Sequence, residues 1–124
     1  MFGFGDQEDA HAAIYGEQHE GKFSHELVAG GASFAAFKMF EDRQRREGKP
    51  VSHAFAKEML AGIVGGEVDK LFETKGLDYL DRDEAKRRAY ENVEQSYDQH
   101  YGGQEQWHPD SQPPFDYQDQ RYNY

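Results

Sequence analysis

Six histidines and 24 acidic residues are the raw material of a metal centre, so metal chemistry is the first to test. Glu8 stands three residues before His11, the Glu-x-x-His spacing with which helical bundles hold paired irons, and Tyr15 and His19 follow at further one-turn steps. Such a centre needs the pattern twice, plus carboxylates from other helices, and no second Glu-x-x-His occurs. His25, His53, His100 and His108 fall near helix starts, a helix end and the tail without ligand spacing. His11, His19 and His25 are therefore the metal-ligand candidates, and all read better as surface or capping histidines; neither metal nor cofactor is expected.

Nucleophilic chemistry has less to work with. Cysteine is absent, and Ser24, Ser33, Ser52, Ser96 and Ser111 lack a Gly-x-Ser-x-Gly setting. Ser24-His25 and Ser52-His53 are neighbours in sequence, but adjacent side chains on a helix do not face each other, so each pair reads as an N-cap and its first-turn residue. No phosphate-cradling glycine motif is present, because Gly62 to Gly66 is interrupted by Ile63 and Val64 within a helical pattern. Many carboxylates could form a general acid–base pair, yet on acidic helices they read as solvated faces. No catalytic residue is identified, and an enzyme is not expected.

The elements that would position any site are helices. Ser24 caps a stretch that runs to Arg46 and is stopped by Gly48 and Pro50, with Leu27, Phe34, Phe37 and Phe40 at helical spacing. Ser52 caps a second, with Phe55, Met59, Gly62 or Ile63, and Leu71 as its apolar stripe, ending between Thr74 and Gly76. Asp81, spaced to Glu84 as in a capping box, opens a third that runs to about Tyr101. The short link Glu47-Gly48-Lys49-Pro50-Val51 makes the first two helices antiparallel neighbours. The fold class is all-α: an antiparallel hairpin plus a third long helix, a three- to four-helix bundle with an extended C-terminal tail. Its divisions are an acidic arm over residues 1–23, a helical domain over 24–102 and a flexible tail over 103–124 rich in aromatics, Gln and Pro. Residues 6–19 read as a further short helix that packs on the core edge or frays.

Small residues crowd the first two helices: Ala29-Gly30-Gly31-Ala32-Ser33 with Ala35-Ala36, and Ala61-Gly62 with Gly65-Gly66. Interior glycine costs a helix ~1 kcal/mol relative to alanine, so these runs call for close backbone approach, or else mark kinks. Ala32 with Ala36, and Gly62 with Gly66, lie one turn apart, as in faces where helix axes come nearer than ~8–10 Å. Tyr90, Val93, Tyr97 and Tyr101 form a stripe on the third helix that suits either the core or a subunit interface. Phe34, Phe37, Phe40, Phe55 and Phe72 are assigned to the core.

Composition bounds the rest. The chain has 124 residues, 36% hydrophobic and 31% charged, with a net charge of -10. One domain is accommodated and the apolar supply is thin. The acidic charge opposes nucleic acid, and the clusters Arg43, Arg45, Arg46 and Lys86, Arg87, Arg88 are interleaved or flanked with acids. With no apolar stretch of membrane-spanning length and no basic amphipathic face, no membrane partner is expected, and the location read from the sequence is cytoplasmic.

The run Ser52-His53-Ala54-Phe55-Ala56-Lys57-Glu58 through Ala61-Gly62, then Glu67-Val68-Asp69-Lys70-Leu71-Phe72-Glu73-Thr74-Lys75-Gly76-Leu77-Asp78, resembles the fungal CipC-like family, named for induction by the antibiotic concanamycin. The resemblance extends over roughly residues 5 to 101, with Glu41-Asp42 and Glu47-Gly48-Lys49-Pro50, and excludes the tail. It implies an antibiotic- or stress-responsive protein and carries over no catalytic residue.

The reading that follows is a non-enzymatic, stress-associated structural or interaction protein, a homo-oligomer. Its self-association residues would be Ala32, Ala36, Gly62, Gly66, Tyr90, Tyr97, Tyr101, Trp107, Phe115 and Tyr117. The alternative is a binder of a metal or an unidentified small ligand, in a pocket between helices lined by phenylalanines with His11, His19, His25 or His53.

Overall fold

The computed structural model describes residues 7, 8, 10, 11 and 23–114. Among them lie three long helices, α1 (His25–Glu47), α2 (His53–Lys75) and α3 (Arg82–Tyr101). Local chemistry sets each end. The Ser24 and Ser52 hydroxyls accept the Leu27 and Phe55 N–H groups, and one Asp81 oxygen accepts those of Asp83 and Glu84. Gly48 and Gly76 close α1 and α2 in the left-handed conformation, at φ 72° and 64°.

The helices run up, down, up, and each packs on the other two. Their ends show the order. The start of α1 meets the start of α3, where the Asp81 N–H donates to His25 Nε2 at 2.9 Å, while Glu41 near the end of α1 meets Tyr101 at the end of α3. Opposite directions of α2 and α3 follow from Lys57 pairing with Asp98 at 2.8 Å and Asp69 with Lys86 at 3.0 Å.

The glycine runs do not break either helix. In α1 every residue from Val28 to Phe37 is buried, so that stretch has neighbours all round and its Ala and Gly residues admit them closely. Some of this cover comes from helical residues before α1: Gln7 and Ala10 are buried, and the Gln7 amide donates to Ser96 on α3 at 2.8 Å. The buried Ser33 hydroxyl donates to the Ala29 carbonyl one turn back.

One expectation needs correction. The core face of α2 is Ala56, Leu60, Val64, Val68, Leu71 and Phe72, whereas Phe55, assigned to the core, is 47% exposed. Most of the expected stripe, Phe55, Met59 and Gly62, sits on the opposite side of α2 from Leu60 and Val64. The helix carries two apolar rows, and the row continuing through Leu71 and Phe72 wins burial. The described part of the tail is placed against the bundle. Residues 102–114 lie along the helix ends, and an isolated antiparallel bridge joins Trp107 to Val51, their backbones exchanging hydrogen bonds of 2.9 and 3.1 Å. Residues 115–124 lie outside the described residues.

Candidate functional site

The densest polar chemistry collects where the ends of α1 and α3 meet the tail. Glu41 follows Phe37 and Phe40 on the apolar side of α1, and its carboxylate is 0% exposed. It accepts the Tyr101 hydroxyl at 2.5 Å and the Arg45 Nε–H at 2.8 Å. The Trp107 indole N–H makes no hydrogen bond of ordinary geometry, but it lies close enough to help hold the charge of Glu41. Burial raises the Glu41 carboxyl above the usual glutamate range, against the pull of Tyr101 and Arg45. The Tyr101 hydroxyl is also pushed up, first by burial and then by the Glu41 charge.

Trp107 is the hub of the tail. Its ring is fully buried, edge-on to Phe40 with centroids 5.4 Å apart, and the Arg45 guanidinium stands 5.4 Å over it. Three side chains clamp tail carbonyls: Arg45 donates to Pro109 O at 2.5 Å, His53 Nε2 to Gln104 O at 2.7 Å and His100 Nε2 to Gln112 O at 2.6 Å. The other ring nitrogen of His53, Nδ1, is hydrogen-bonded to the Tyr97 hydroxyl, 2.7 Å away. The tail is therefore a strap across one end of the bundle.

This arrangement orders backbone. Glu41, Tyr97, Tyr101 and Trp107 are all buried; the Tyr101 hydroxyl meets Glu41, and the Tyr97 hydroxyl meets His53. A different opening, of about 300 Å³, lies between α2 and α3, with Ala61 and Val93 in its floor and Lys57, Glu58, Tyr90 and Glu94 around it. It contains none of the phenylalanines or histidines expected in a ligand pocket.

The sequence matches the family described as virulence factor CipC-like over residues 10–100. The chain belongs to the CipC-like family. No curated protein and no solved structure matches it.

In this CipC-like chain the ten self-association candidates separate. Ala32, Ala36, Tyr97, Tyr101 and Trp107 are buried inside the chain, packing its own helices and strap. Gly62, Gly66 and Tyr90 are exposed, while Phe115 and Tyr117 lie outside the described residues. A Cβ added at Gly62 or Gly66 would meet nothing within 4 Å, so close approach within the chain does not account for either glycine. Gly65 between them does have a reason, since its Cβ would stand 2.9 Å from the Tyr90 hydroxyl.

The metal candidates also separate. His19 lies outside the described residues; His25 is spent on the Asp81 N–H; His11 stacks near Phe34 with centroids 5.1 Å apart, its pKa lowered by burial and by Lys38. Among the described residues no group of three metal-ligating side chains forms. The basic cluster on α3 is occupied: Lys86 pairs with Asp69 on α2, Arg87 with Glu84 and Glu91, and Arg88 with Glu84, the two arginines holding the Glu84 carboxyl down at about 2. No helix among the described residues is long and apolar enough to cross a membrane.

Sequence reasoning missed Glu41 and Arg45. Their signal was present: a carboxylate on the Phe34-Phe37-Phe40 side of α1, with an arginine one turn later to meet it.

Proposed function

We propose that this CipC-like protein is a non-enzymatic interaction protein of the antibiotic or stress response that works in the cytoplasm as a homo-oligomer. What carries the reading is the outer side of α2, where Phe55 is 47% exposed on the same side as the exposed Gly62 and Gly66. Apolar surface set at helical spacing on the side away from the core is the usual mark of a docking face. The polar groups at the bundle end support the non-enzymatic part, because they are engaged in holding the strap. Light scattering behind size exclusion, on the full chain over a wide concentration range, tests it. A discrete oligomer is expected, and a monomer at every concentration would remove the proposal.

The opening beside Tyr90 favours a second reading, a small-molecule binder. Its mark would be a rise in melting temperature with one compound class that is lost in Tyr90→Ala.

A further inference from the structure

The self-association reading leaves open which surface pairs with which, and α2 carries the information to decide it. Gly62 and Gly66 sit one turn apart, exposed, with open space where side chains would be. Two such glycines let a second helix axis come closer than the ~8–10 Å of ordinary packing. The face is more than a small-residue stripe, because Phe55 stands exposed at one end and the half-buried Met59 and Ile63 flank its middle.

Charge identifies the occupant. Glu58 precedes Gly62 by one turn and Lys70 follows Gly66 by one turn, so the two charges are placed symmetrically about the glycine pair. Both are exposed, and neither forms an ion pair among the described residues. At 1.5 Å per residue they stand ~18 Å apart along the helix. A second α2 laid antiparallel over the midpoint of the glycines brings Glu58 of each copy to Lys70 of the other at both ends of the contact. Laid parallel, it would set Glu58 against Glu58 and Lys70 against Lys70. For Glu58 and Lys70 the pattern is self-complementary in one direction only, as a two-fold interface requires.

We propose that α2 pairs antiparallel with α2 of a second copy of this chain, with Gly62 of each copy crossing Gly66 of the other and Glu58 of each meeting Lys70 of the other. This rests on the self-association reading and adds the face, the direction and the register.

The chain has no cysteine, so single introduced thiols report contacts cleanly. Under mild oxidation, full-length Glu58→Cys mixed with Lys70→Cys is expected to form a disulfide-linked heterodimer, while either variant alone links slowly. Separately, Glu58→Lys and Lys70→Glu are each expected to raise the dimer dissociation constant about tenfold, and the double reversal to restore it. Both positions are exposed, and unchanged helix signal and melting temperature of the dilute variants confirm that folding is intact. Self-linking of each cysteine variant as fast as the mixture would overturn the antiparallel register. An oligomer indifferent to both charge reversals would overturn the α2 pairing while leaving self-association standing, and a wild-type chain monomeric at all concentrations would overturn both.

Discussion

The Tyr101 hydroxyl donates to the Glu41 carboxylate across 2.5 Å, joining the last turn of α3 to α1 at a point that solvent does not reach. Tyr101→Phe keeps the ring and removes the donor, leaving one carboxylate oxygen buried without that partner. A loss of ~1–3 kcal/mol in unfolding free energy is expected from urea titration. A change well below that range would mean that the hydroxyl is not satisfying Glu41.

The same carboxylate gives an unusual pH dependence. Burial raises the Glu41 pKa above the unfolded value of 4.5, so the folded state binds that proton more tightly than the unfolded chain does. Its contribution to stability is greatest below pH 4.5, declines as pH rises through the raised folded value, and is constant beyond it. Glu84 works in the other direction: lowered to about 2 by Arg87 and Arg88, it stabilises above pH 4.5 and loses that effect as pH falls toward 2. Comparing urea midpoints of wild type and Glu41→Gln between about pH 4 and about pH 8 isolates the first effect. Wild type is expected to lose ground to Glu41→Gln as pH increases from 4.5, and a constant difference would contradict a raised pKa.

Trp107 is the single tryptophan of the chain and sits in the strap, so its fluorescence reports strap docking directly. Arg45→Ala removes a clamp on the strap and a partner of Glu41, and it is expected to shift the fluorescence midpoint below the midpoint of helix loss. In the wild type the two curves should coincide. Trp107→Ala, which empties a core site, is expected to cost ~3–5 kcal/mol; a cost under ~1 would place the indole outside the cooperative core.

Glycine substitutions divide by conformation and space. Gly62→Ala and Gly66→Ala are expected to stabilise the dilute monomer by ~0.5–1 kcal/mol each, because both positions are helical and open. Gly48→Ala meets no clash either, yet its φ of 72° is left-handed, and a loss of ~1–2 kcal/mol is expected. Thermal melts of the three variants separate the two effects.

The helix ends were legible in the sequence because the information is local: a serine, an aspartate or a glycine satisfies its own helix terminus without reference to the rest of the chain. The rotation of α2 was not, since Phe55-Met59-Ile63 and Ala56-Leu60-Val64 are both apolar rows at helical spacing, and only packing against α1 and α3 chooses between them. Phe34, Phe37 and Phe40 were placed correctly because no competing row exists beside them on α1. Trp107 read as part of a loose tail, since nothing near it in sequence signals a cavity built from Phe40, Arg45 and Tyr101. Of the candidate contact residues, Gly62 and Gly66 lie exposed, whereas Tyr97 and Tyr101 lie inside, their hydroxyls taken up by His53 and Glu41.

The bridge from Val51 to Trp107 makes the strap and the bundle end depend on each other. The site for the indole is assembled from α1, the loop after it and the end of α3, so it is complete only once all three are packed. Taking the strap away would leave Phe40, Tyr101 and the Glu41 carboxylate facing water, so bundle and strap are expected to unfold as one unit.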